Sequence, residues 1–184
     1  MKKHWFKRLI GFALILDIII LDQLSKWLVM EYILRPDMID KGRSLDLFSW
    51  FRMSEQLPFT RIEVLPFFNW VMVWNEGISF GMFQNGGTMF LIIATTIVSL
   101  LFAIWLSRTT GWLQSISLGM VIGGAMGNVI DRLHFGAVVD FLNFHVMGWH
   151  YPAFNVADSA ITIGIALLVF DGVFLESKRN KNAA

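Results

Sequence analysis

Four apolar runs punctuate the chain, at roughly Leu9–Met30, Met89–Leu106, Leu113–Ile130 and Ser159–Leu175. Each is long enough to be read as a helix crossing a bilayer, which takes about 20 apolar residues within a range of about 17–25. The last three sit near the short end, so little tilt is expected. Lys2, Lys3, Lys7 and Arg8 precede the first run, as basic residues precede a signal peptide. Asp17 and Asp22 interrupt that run, however, and no small-residue cleavage site follows, so it reads as a retained helix. Between the first two runs lies the segment 31–88. Its period changes in "RIEVLPFFNWVMVW" (61–74), where Phe68, Trp70, Met72 and Trp74 fall on one face of a strand. Residues 34–60, with Pro36, Gly42 and Pro58, read as irregular. The expected fold class is an all-α membrane protein with four transmembrane helices. A small extracytoplasmic β element is expected between helices 1 and 2, all within a single domain over residues 1–184. No internal repeat, low-complexity tract or second domain is visible.

Composition supports the membrane reading. Of 184 residues, 55% are hydrophobic and 16% charged, where a soluble domain carries about a quarter charged residues. The net charge of +1 offers no basic field for nucleic acid. The absence of cysteine removes disulfides, thiolate ligands and a cysteine nucleophile together. Basic residues cluster before the first run and after the last, at Lys178, Arg179 and Lys181, and Arg108 lies in the short link between the second and third. With four spans both termini share one side, and the positive-inside rule makes that side cytoplasmic. Segments 31–88 and 131–158 are then expected outside.

Charge within a span is rare, because it costs about 2.5–3.5 kcal/mol per group at mid-span on insertion scales. Asp22 and Lys26 stand at i and i+4 in "DQLSK", on one helix face, as a local ion pair or something more. Asp17 lies on another face, and Asp171 near the cytoplasmic end of the last span is expected to reach headgroups. In the third span Gly119, Gly123 and Gly127 recur every four residues, a flat strip suited to a packed helix or an approaching peptide or lipid. It leads into "GNVIDR", where Asn128, Asp131 and Arg132 share a face and Arg132 is expected to hold Asp131.

Asp140 follows in "GAVVDF", within an aromatic-rich outer segment, and Asp158 opens the last apolar run. Taken alone, Asp158 suits a helix cap, where a carboxylate satisfies free N–H groups and meets the helix's positive end. Together the two acids bracket one short re-entrant segment, with Asn155 just before the second. Two carboxylates held close cannot both ionise and so share a proton. One can then activate water while the other protonates a leaving group, which is the chemistry of an aspartic peptidase. His145 and His150 match no metal-ligand spacing. A Ser79–Lys26 dyad would compete with Asp22 for the lysine.

These stretches resemble the lipoprotein signal peptidases (signal peptidase II). The matching motifs are "DQLSK" (22–26), "NEGISFG" (75–81), "GGAMGNVIDR" (123–132), "GAVVDF" (136–141) and "FNVAD" (154–158). The resemblance implies a four-helix aspartyl endopeptidase of the bacterial inner membrane. Its substrate would be a prolipoprotein whose cysteine bears diacylglyceryl, cleaved just before that cysteine. Asp140 and Asp158 match the catalytic pair. Asp22, Lys26, Asn75, Gly77, Asn128, Asp131, Arg132 and Asn155 match positions that bind substrate or support the site. The resemblance further implies inhibition by globomycin-type cyclic peptides. No metal or cofactor is expected, and the chain is expected to act as a monomer among membrane lipids. The stretch Arg35–Arg61 is longer than is common in the family, carries none of its motifs, and is expected to be dispensable for bond cleavage. Two other classes compete. A proton- or ion-coupled transporter would use Asp17, Asp22, Asp131 and Asp171 as a relay, but no inverted repeat or broken span supports one. A purely structural membrane subunit leaves the paired acids unexplained.

Overall fold

A computed structural model describes residues 2–37, 43–52, 55–77 and 87–175. The cytoplasmic-end cations Lys178, Arg179 and Lys181, and Ser79, lie outside the described residues. Helix α1 spans Lys2–Leu28 and continues as a π-helical turn, Val29–Leu34. A short helix α2 covers Leu47–Arg52. The long helices α3 (Gly87–Leu106), α4 (Trp112–Phe135) and α5 (Val156–Phe170, extended by a π-helical turn to Leu175) follow. Three of these segments are long and apolar enough to cross a membrane: Gly87–Leu106, Trp112–Phe135 and Val156–Leu175. The first expected span exists as the 27-residue α1 but is not among those three. It carries Asp17, Asp22 and Lys26.

α4 is the axis of the bundle, packing against α1, α3 and α5. Its glycines decide how close these neighbours come. A Cβ on Gly119 would sit 2.5 Å from the Gly11 carbonyl oxygen, and one on Gly123 would sit 2.8 Å from the Ile18 Cβ. The glycine strip is therefore filled by α1, and no open track for a peptide or lipid remains on it. Gly124, about 100° further round the helix, meets the Ala157 carbonyl of α5.

The chain is not all-α. At one end of the bundle lies a four-stranded antiparallel sheet, β1-β2-β3-β4, made of Arg61–Leu65, Phe68–Asn75, Val138–Val146 and Trp149–His150. Half of its strands come from the segment after α4, so "GAVVDF" enters a strand instead of a re-entrant loop. β2 and β3 pair from Phe68↔Phe144 to Asn75↔Val138, with a register shift between Trp70 and Val73. Met72 is buried beneath the sheet with Trp70 and Trp74 against it, as the strand pattern predicts.

The long stretch before β1 is not a plain surface loop either. Trp50 of α2 is 2% exposed and packs on Phe135 at the end of α4, ring centroids 5.5 Å apart. It joins a core of Met30, Leu34, Leu57, Met72, Val139 and Phe141. Buried Glu31 anchors the near end, accepting from Arg35 Nε at 2.6 Å and from the Leu45 amide at 2.9 Å. Gln56 Nε2 donates to the Phe135 carbonyl at 2.9 Å.

Candidate active site

The site is built where three elements meet at the sheet end of α4. The helix stops at Gly136, whose φ of +80° is the left-handed conformation that suits glycine. Its N–H reaches back to the Arg132 carbonyl, and the chain turns at once into β3. Asp140 then lies opposite Val73 of β2. Fifteen residues on, Asn155 caps α5, its Oδ1 accepting the Asp158 amide at 2.9 Å. Asp158 Oδ2 accepts the Asn155 amide in return, at 3.3 Å. This is a capping box in which Asp158 is the third helical residue and Asn155 the cap.

Three asparagines hold the two carboxylates. Asn155 Nδ2 donates to Asp140 Oδ1 at 2.8 Å, and Asn75 Nδ2 donates to Asp140 Oδ2 at 2.9 Å. Asn128 Nδ2 donates to Asp158 Oδ1 at 2.8 Å, while its own Oδ1 accepts from Asn155. Asn75 in turn accepts the Gly77 amide at 2.8 Å. Asp140 is 1% exposed. Burial, with the Asp158 carboxylate second, pushes its pKa up to about 7, against the opposing pull of the Asn75 and Asn155 amides.

Behind the asparagines lies a layer of buried charge. Lys26 Nζ is 2.6 Å from Asp22 Oδ2 and 2.7 Å from Asp131 Oδ2, all three side chains fully buried. Each carboxylate also accepts a backbone amide next door to one of the paired acids. Asp22 Oδ1 takes the Ala157 N–H at 2.9 Å, and Asp131 Oδ2 takes the Val139 N–H at 3.0 Å. The Asp22–Lys26 pair is thus more than a local i,i+4 bridge. The sequence pattern predicts an Arg132–Asp131 pair, but in the structure Asp131 belongs to Lys26. Arg132 donates to the Asn128 carbonyl at 3.3 Å, and its guanidinium faces Gly77, where an added Cβ would lie 3.1 Å away. Gln23 was passed over in the sequence. It is buried and donates to Asp131 Oδ1 at 2.8 Å and to the Gly127 carbonyl. Its signs in the chain were its polarity beside Asp22 within an apolar run and its place in "DQLSK".

All eight supporting positions and both acids therefore converge on one region. The other polar residues do not. Asp17 is exposed on α1, and Asp171 is buried at the far end of α5 instead of reaching outward. His145 and His150 stack across β3 and β4, ring centroids 4.8 Å apart. Two cavities open on the acids. One of about 580 Å³, walled by Trp74, Asn75, Gly77 and Pro152, touches Asp140. Another of about 550 Å³, walled by Phe144, Trp149, Tyr151, Phe154 and Thr162, touches Asp158.

Comparison with known proteins gives the chain a fold and a family. A solved bacterial membrane enzyme, determined by the in meso method at 1.9 Å, superposes with a TM-score of 0.68 at 24% identity, over 90% of this chain and 93% of that one. That likeness concerns the fold. The lipoprotein signal peptidase of Acinetobacter baumannii is 35% identical over 90% of this chain and 84% of its own length. The lipoprotein signal peptidase of Burkholderia thailandensis is 40% identical over 80% and 87%. The family described as signal peptidase (SPase) II matches residues 14–174, and the chain belongs to that family.

Proposed function

We propose that this protein is an aspartyl endopeptidase of the bacterial inner membrane. It removes the signal peptide from diacylglyceryl-modified prolipoproteins by cutting just before the lipidated cysteine. The observation that carries the reading is the joint suspension of Asp140 and Asp158 on one asparagine framework, with Asp140 raised to about 7. Near neutral pH such a pair retains one proton. The Asp158 carboxylate takes a proton from the attacking water, and protonated Asp140 gives its own to the departing amine. The proton then redistributes between the two acids for the next turnover. Asn75, Asn128 and Asn155 hold the carboxyl groups in place, and Asp22, Lys26 and Asp131 fix the backbone behind them. Arg132 and Gly77 line the approach.

α1 serves as the fourth span in this reading. Its polar Asp22, Gln23 and Lys26 are buried toward α4, whereas Leu9, Leu16, Ile20 and Leu21 are exposed. That is how a charged segment remains compatible with lipid, with Asp17 as the exception. Lys7 and Arg8 donate to the Thr110 and Thr109 carbonyls in the link before α4, so this basic end lies opposite the sheet. In this reading, by the positive-inside rule, both termini are cytoplasmic and the paired acids lie at the outer leaflet, where lipid and water meet. The protein acts as a monomer on lipidated precursors, and globomycin-type cyclic peptides compete for the two cavities.

Purified protein in lipid nanodiscs should release the signal peptide from a diacylglyceryl precursor and leave the lipidated cysteine at the new N-terminus. Asp158→Asn should abolish this. No cleavage by the folded parent protein would remove the peptidase reading and favour a transport assay in proteoliposomes.

A further inference from the structure

The cavity at Asp140 does not end at the reaction centre. A further cavity of about 360 Å³, reaching Phe59, Arg61, Asn143 and His150, shares Val73, Pro152 and Ala153 with it. The two form one trough over the sheet, from Asp140 to Arg61. Asp140 of β3 lies opposite Val73 of β2 and Arg61 of β1 lies opposite Val71, so two strand spacings separate them across the sheet, about 10 Å at ~4.8 Å each, or some three extended residues. An extended peptide starting at the dyad therefore reaches the far end in about three residues.

We propose that this trough holds the first residues of the released chain, those after the lipidated cysteine. We further infer that it favours an acidic side chain at the fourth residue past the cleaved bond, the cysteine counting as the first. The inference rests on the peptidase reading above. The occupant follows from the chemistry of the two sides. Signal peptide and acyl chains are apolar, whereas the chain after the cysteine leaves the membrane for water. The trough runs away from α5 across the sheet and offers it polar partners. Its charges are graded, with Glu76 near Asp140 and Arg61 at the far end. Arg61 pairs only with Glu63 among the described residues, at 2.9 Å, and both side chains are substantially exposed. Exposed pairs of this kind are weak, so a substrate carboxylate can compete for the guanidinium. Phe59, 71% exposed, and Tyr151 supply apolar flanks for the backbone between.

The test uses full-length protein in nanodiscs at low salt and lipidated precursors differing only at that fourth residue: Asp, Ser or Lys. The parent protein should show kcat/KM higher for Asp than for Lys by about threefold, the scale of one exposed charge contact. Arg61→Gln should erase the difference and Arg61→Glu should reverse it. A precursor ending as an amide directly after the cysteine should be cleaved equally by all three proteins. An order unchanged in Arg61→Glu, or no order in the parent protein, would overturn the trough assignment. Cleavage of the truncated precursor would in that case leave the peptidase reading standing, so the two failures are separable.

Discussion

Asp22 on α1 accepts the backbone N–H of Ala157 on α5, 135 positions away in the chain, at 2.9 Å. The contact fixes the residue before Asp158. Its counterpart is Asp131 on Val139, the residue before Asp140. Lys26 ties the two carboxylates together, so the spacing of the paired acids is referred to one buried ammonium.

Asp22→Ala should therefore slow cleavage without abolishing it. A displacement of about 1 Å at a reacting group costs on the order of 10²-fold in rate, and turnover should stay well above that of Asp158→Asn. Single-turnover rates on lipidated precursor measure this. Activity as low as that of the Asp158 variant would instead make Asp22 part of the chemistry.

Lys26→Met should be harsher on folding than Asp22→Ala. It leaves two buried carboxylates facing each other without a cation, and breaking a buried pair costs about 3–5 kcal/mol. Asp22→Ala leaves Lys26 with Asp131. The order of the thermal midpoints in detergent checks this, and a Lys26→Met protein as stable as the parent would contradict it.

The two isosteric variants of the acids should share inactivity and a modest loss of stability. At position 158 one oxygen accepts from Asn128 Nδ2 and the other from the Asn155 amide, so Asn there keeps the cap only by opposing its NH₂ group to Asn128. At position 140 both oxygens accept from asparagine amides. Asn there opposes an NH₂ group to one of those donors, a mismatch of about 1–3 kcal/mol. Each variant should thus melt below the parent protein by a margin of that order, and the double variant should cleave no worse than either single one.

The rate should fall as pH rises through about 7, where Asp140 loses its proton. The sign follows from the cause: burial and the neighbouring Asp158 charge favour the protonated form, so the acid is present below that pH and absent above it. Removing the neighbouring charge with Asp158→Asn should lower the Asp140 pKa, readable as an earlier loss of its carboxyl C=O infrared band on titration. A band that titrates at the same pH in both proteins would rule out the coupling.

Trp50→Ala should destabilise the protein by about 3–5 kcal/mol, the range for emptying a large buried aromatic site. Trp50 packs against Phe135, one residue before the turn into β3. The stretch expected to be dispensable for bond cleavage thus contributes to packing at the end of α4, and chemical denaturation of the variant gives the measure.

Much of this was legible from the chain, and the gaps have identifiable physical causes. Hydropathy located all the long helices, because bilayer-length apolar runs need no tertiary context to be seen. β2 was legible through its alternating aromatics. β3 was missed because Asp140 and Asn143 interrupt its apolar alternation, and its partner lies some 65 residues back in the chain. The mistaken Arg132–Asp131 pair came from adjacency: neighbours on a helix point about 100° apart, so Asp131 faces α1 while Arg132 faces Gly77. The true partner became visible only once the glycines of α4 brought α1 into contact. Trp50 was hidden because six residues of helix carry too little periodicity to announce a buried face.

The pairing of β2 with β3 also orders how the enzyme comes into being. β2 leaves the ribosome long before β3, with α3 and α4 still to be inserted between them, and it offers an open hydrogen-bonding edge throughout that interval. Contacts of such sequence separation close late. Asn75 has no carboxylate to hold until Asp140 arrives, and Asp158 follows only with the last span. A nascent chain stalled at Phe135 should accordingly be cut within β2 by added protease, at positions resistant in the finished protein. On the proposed mechanism, proteolytic competence is thereby deferred to the end of synthesis.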